Sequence, residues 1–115
     1  MRVKVRNLIA NILEDEGVEH IFGHTGDNIL AMWQSIRPTA ITPVFNKTEF
    51  GAAFMADGYS RTSGKLGVVF TTGGPGATNL ATPFATAYLD SIPLLAISGA
   101  AVSSDVGKNA FQEGS

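Results

Sequence analysis

No cysteine occurs among the 115 residues. A disulfide framework and a thiolate metal site are therefore excluded, and a reducing compartment such as the cytoplasm is expected. No apolar run approaches the roughly 20 residues that a membrane-spanning helix needs. Charge is sparse and nearly balanced, eight Lys and Arg against ten Asp and Glu, for a net charge of −2. Without a Lys/Arg cluster there is no basic groove, so neither nucleic acid nor membrane is expected as a partner. Arg2, Lys4 and Arg6 have the basic character of a leader's start, but Val5, Leu8, Ile9, Ile12 and Leu13 fall at helical spacing and run into Glu14-Asp15-Glu16-Gly17. That is the pattern of an amphipathic first helix, not of a continuous apolar leader core.

What remains is a chain with 44% hydrophobic residues, enough to bury one core. Helical and strand-like segments alternate along it. The pattern predicts helices near 4–16, 27–36 and 47–62, and one from Pro75 to Asp90 that Pro83 should bend. Strands are predicted over 18–23, 40–45, 66–72 and 93–99, and Pro43 makes the second an edge or bulged strand. Such alternation predicts an α/β fold, a mostly parallel sheet with helices on both faces. Ligands of such sheets lie at the carboxyl ends of the strands, here Gly23 to Asp27, Asn46 to Glu49, Thr71 to Gly76 and Ser98 onward. Glu49 and the glycine-rich turn Gly73-Gly74-Pro75-Gly76 should then share one rim. After Gly99 the periodicity ends, so residues 1–115 are expected to form a single domain truncated at its C-terminal end.

Glu49 is the most informative position. It heads a helix whose next residues are small and apolar until Asp57. Such a setting can desolvate a carboxyl group and let it hold or pass a proton near neutrality. A plainer reading is a capping box, with Asn46 as the N-cap and Glu49 three residues on. Asp57 and Arg61, one turn apart, should pair on the helix's outer face. Gly74-x-Gly76-x-x-Asn79 lacks the third glycine of a dinucleotide fingerprint and no acid ends the following strand, so NAD binding is disfavoured. His20 and His24 are four apart but fall in a strand and a loop, which is not a metal geometry; His24 is a candidate pocket residue and His20 a structural one. Ala77, Thr78, Ala81, Ala85 and Ala87 should permit close helix packing, with an interior role favoured.

Several blocks together resemble the pyrimidine-binding (Pyr) domain of thiamine-diphosphate-dependent enzymes, closest to the acetolactate synthase group. They are Gly17-Val18-Glu19-His20-Ile21-Phe22-Gly23-His24, Glu49-Phe50-Gly51-Ala52-Ala53, Ala56-Asp57-Gly58-Tyr59, Gly74-Pro75-Gly76-Ala77-Thr78-Asn79, Asp90-Ser91-Ile92-Pro93 and Ala110-Phe111-Gln112-Glu113. The resemblance covers nearly the whole chain in the right order.

It implies that Glu49 is the acid that hydrogen-bonds N1′ of the cofactor's aminopyrimidine and promotes the tautomer that activates the thiazolium. It further implies cofactor contacts at Gly26, Gly74, Pro75, Gly76 and Asn79, and substrate contacts at Gly26, Phe111 and Gln112. The implied activity is thiamine-diphosphate-dependent decarboxylation or carboligation of 2-oxo acids, by a lyase or transferase. The family's Gly-Asp-Gly and Asn-Asn metal motif is absent. Mg2+ and the diphosphate are then expected on a separate diphosphate-binding domain, in a homo- or hetero-oligomer, and the chain alone is expected to be inactive. Thr25-Gly26-Asp27 stands where the family has Pro-Gly-Gly, and Thr48-Glu49-Phe50 where it has His-Glu-Gln, which leaves the reaction type open. Alternatives are a non-catalytic pairing module of the same fold and a nucleotide-dependent oxidoreductase fragment.

Overall fold

The structure, a computed structural model, describes residues 3–100. Helix α1 (Val5–Asp15) precedes strand β1 (His20–Gly23), and Gly17, at φ 87°, makes the left-handed turn between them. There follow α2 (Leu30–Ile36), β2 (Thr42–Phe45), α3 (Glu49–Ser63), β3 (Gly67–Thr71), α4 (Pro75–Thr78), α5 (Ala81–Leu89) and β4 (Leu94–Ser98). The four strands are all parallel, in the order β2-β1-β3-β4. The expected α/β class with a parallel sheet is thus what forms.

Pairs such as Phe22–Val69 set the register of the two central strands. Period-2 alternation sends Ile21, Val68 and Phe70 to one face, where they meet Leu13 of α1 and Trp33 and Ile36 of α2. Phe22 and Val69 face the other way, against Ala52, Ala53 and Ala56 of α3 and Leu80 at the start of α5. β3 is buried along its whole length, as its unbroken apolar run requires of a central parallel strand. β2 is an edge strand, where the missing N–H of Pro43 costs no central ladder bond. Burial of each large core side chain is worth roughly 1.5–3 kcal/mol. Among the described residues, no helix is long and apolar enough to cross a membrane.

Four local expectations are corrected. α2 starts at Leu30, not Asp27, because Asn28 lies in a turn and its side-chain oxygen accepts the N–H of Gly73 at 3.1 Å. The helix after Pro75 is broken, not bent, between Thr78 and Ala81. Pro83 falls in the first turn of α5, and a helix continued through it would drive the ring into the carbonyl of Asn79. The face of α5 that turns inward carries Leu80, Pro83, Phe84 and Ala87, while Ala81 and Ala85 are exposed. Asp57, finally, is buried: Arg61 Nε donates to it at 2.7 Å and another Arg61 nitrogen reaches Asp90 at 2.8 Å, tying α3 to the end of α5.

The N-cap of α3 is Thr48, whose hydroxyl accepts the N–H of Gly51 at 2.9 Å. Asn46 lies two residues too early to cap this helix, and its backbone N–H, which a capping box would offer to Glu49, instead extends the β1–β2 ladder to the Gly23 carbonyl at 2.8 Å. Glu49 is consequently the first helical residue and closes no capping box. Loss of the true cap in Thr48→Ala should lower the unfolding free energy by about 1 kcal/mol in a urea titration, with Thr48→Ser nearly neutral.

Candidate active site

The order β2-β1-β3-β4 reverses direction between β1 and β3, the place where open α/β sheets leave a crevice for ligands. The loops leaving these two strands meet over Thr72, a buried residue directly after β3. A Cβ on Gly26 would collide with the Thr72 methyl, and one on Gly76 with the Thr72 hydroxyl. Two backbones can approach one side chain this closely only because both positions are glycine. A third strand end joins them, since a Cβ on Gly73 would lie 2.5 Å from the carbonyl oxygen of Gly99, after β4. Gly74 adopts φ 60° and ψ −119°, a conformation that favours glycine, and Pro75 then opens α4 with the φ that the first turn requires.

The loop after β2 is fastened to the same rim. His24 Nδ1 lies 2.7 Å from the Asn46 carbonyl oxygen. A carbonyl only accepts, so Nδ1 carries the hydrogen in this contact and Nε2 is left unengaged by it. His20 packs at the opposite end of β1 against Tyr59, with ring centroids 5.4 Å apart.

Glu49 is half-buried in the first turn of α3, where the helix dipole favours a negative charge. Its Oε1 accepts a hydrogen bond of 3.0 Å from Nδ2 of Asn79, the residue that ends α4. Among the described residues the other carboxylate oxygen has no hydrogen-bond partner. The carboxylate therefore joins the end of the glycine turn's helix to the start of α3. It is not the dry group that the apolar sequence around it suggests. Phe50 and Met55 are each 46% exposed nearby on α3, and Phe45 is 56% exposed at the end of β2.

Of the residues singled out from sequence, Gly26 and Gly76 meet at Thr72, Gly74 and Pro75 form the turn between them, and Asn79 and Glu49 bond directly. Phe111 and Gln112 lie outside the described residues. Sequence reasoning missed Thr72 and Asn28, the side chains that hold the loops together. Their available signals were modest: a threonine ending a buried strand before two glycines, and an asparagine just ahead of a helix. A cleft of about 700 Å³ at the amino ends of the strands, lined in part by Leu13, Val18, Tyr59 and Leu66, is far from this rim in the fold.

Comparison with known proteins fits this architecture. The family described as "Thiamine pyrophosphate enzyme, N-terminal TPP binding domain" matches residues 3–115, and the chain belongs to it. The acetolactate synthase large subunit of Buchnera aphidicola is 47% identical over 107 residues, which is 92% of this chain and 19% of the relative. The acetolactate synthase of Arthrospira platensis is 49% identical over 109 residues, 91% of the chain and 19% of the relative. Acetolactate synthase isozyme 3 large subunit of Escherichia coli is 43% identical over 107 residues, 92% and 19%. The chain thus spans about a fifth of the length of these relatives.

The tight fit at Thr72 makes a specific prediction. Gly26→Ala should destabilise the domain by roughly 1–3 kcal/mol, and Thr72→Ser, which removes the obstructing methyl, should recover part of that loss. Denaturant unfolding of the two single variants and the double variant measures the coupling.

Proposed function

We propose that this domain supplies the aminopyrimidine half of a thiamine diphosphate site in an acetolactate synthase-like enzyme that decarboxylates or joins 2-oxo acids. The observation that carries the reading is the Glu49 carboxylate, held by Asn79 beside the glycine turn, its second oxygen without a hydrogen-bond partner among the described residues. The residues present fit the group. A heterocycle with a ring nitrogen needs one acid and a close-approaching backbone, and the rim offers Glu49 together with Gly26, Gly74 and Gly76. When bound, thiamine diphosphate supplies the nucleophilic carbon and the electron sink.

In this reading Glu49 shares a proton with the ring nitrogen through its unengaged oxygen. Gly26 lets backbone border the reacting centre and the substrate, and the Gly74-Pro75-Gly76 turn does the same on the pyrimidine side. Phe111 and Gln112 are assigned to the substrate by their resemblance to the acetolactate synthase pair. A diphosphate-binding domain, in the same or a neighbouring subunit, holds Mg2+ and the diphosphate. Its arrival would cover exposed Phe50 and Met55 of α3 and complete the desolvation of Glu49. The working form in this reading is a cytoplasmic oligomer, at least a dimer; the naming of relatives as large subunits supports an assembly.

A hybrid tests this: residues 3–100 of this chain replace the matching segment of the Escherichia coli isozyme 3 large subunit. With thiamine diphosphate and Mg2+ the folded hybrid should consume pyruvate, while the 115-residue chain alone should not. Glu49→Gln in the hybrid should lower kcat by roughly 10²-fold or more without changing its unfolding midpoint. Full turnover by that variant, or inactivity of a folded and assembled hybrid, contradicts the proposal.

A further inference from the structure

We infer that Asn79 is a positioning residue for Glu49, acting on the cofactor only through that carboxylate. The inference rests on the reading of Glu49 given above and assigns Asn79 a different task from direct cofactor contact. The direction of the bond is fixed by chemistry: a carboxylate oxygen accepts, so Nδ2 donates across the 3.0 Å separation. Asn79 is itself held firmly. It caps the end of α4, its backbone N–H bonds the Pro75 carbonyl at 3.2 Å, and α4 is seated on Thr72 by Gly76. The amide thus projects from the glycine turn and reaches a residue thirty positions earlier in the chain.

Burial does not explain this bond. Asn79 is exposed and could be solvated by water, so its amide does not need Glu49 as a partner. Glu49, in contrast, has a long side chain that would otherwise sample several rotamers at the start of α3. Engaging Oε1 restricts them and leaves one oxygen to address a ring nitrogen. Orienting a reacting group in advance in this way lowers the cost of reaching the productive geometry. No other side chain among the described residues donates a hydrogen bond to Glu49.

The test is a double-mutant cycle in the hybrid enzyme, read by thiamine diphosphate affinity in a calorimetric titration and by kcat. Asn79→Ala should weaken affinity and lower kcat, each by about tenfold, as expected for loss of one hydrogen bond to a charged group. Asn79→Asp, which sets one carboxylate against another, should be worse. In a Glu49→Ala background, which removes the acceptor altogether, Asn79→Ala should change either quantity by less than about twofold, because the group it orients is gone. The unfolding midpoint of the 115-residue chain should stay the same in Asn79→Ala.

Full multiplication of the two effects would mean that Asn79 touches the cofactor itself, and would overturn the inference. So would an Asn79→Ala variant with unaltered affinity and kcat, or one whose losses track a lowered unfolding midpoint. If Glu49→Ala alone left affinity and kcat intact, the reading of Glu49 would fail first; if it impaired both while Asn79→Ala multiplied in full, only the positioning role would fail.

Discussion

The architecture of the rim depends on one contact, the seating of Thr72 between Gly26 and Gly76. Thr72 is buried directly after the fully buried central strand, so it cannot retreat from the crevice without disturbing the end of β3. The two glycines lie on the connections that leave adjacent parallel strands in opposite directions, Gly26 in a loop and Gly76 in α4, at the point where a doubly wound sheet opens. A larger residue at either position would push those loops apart. The contact brings Gly74 and Pro75 over the carboxyl ends of β1 and β3 and fixes where α4 begins. Asn28, bonding the Gly73 N–H, closes the same junction from the other side.

From that junction the placement of the acid follows. α4 is a single turn because Pro83 forbids its continuation, and its end delivers Asn79 toward α3. α3 can lie close because Ala52, Ala53 and Ala56 present almost no bulk to the sheet. Thr48 sets its first turn, so Glu49 emerges at the rim and not one turn along the helix. The carboxylate is left half-buried, and Phe50 and Met55 on the same helix are exposed.

Much of the fold was legible because periodicity and glycine placement are strong, local signals. The strand predicted over 66–72 forms as β3, and the one that Pro43 marks as edge or bulged forms at the sheet's edge. The strand order, and hence the crevice, is not written in any local pattern; it appears only when non-adjacent strands pair. The cap of α3 was misassigned because Asn46 and Glu49 have capping-box spacing, whereas the sheet had already claimed the Asn46 backbone. Asp57 was placed outside because its helical partner is Arg61; the second anchor, Asp90, lies 29 residues farther on and leaves no trace in spacing. Within the site, Glu49 and the glycine turn stood out by residue type. Their link through Asn79 did not, since an exposed asparagine after a helix is ordinary in any sequence.

The most direct measurement is a crystal structure of the hybrid enzyme with thiamine diphosphate and Mg2+ bound. The account predicts a Glu49 carboxylate oxygen within about 2.6–3.2 Å of the aminopyrimidine ring nitrogen, its other oxygen still bonded to the Asn79 amide. A cofactor whose ring nitrogen meets another group, with Glu49 turned into solvent, would contradict it.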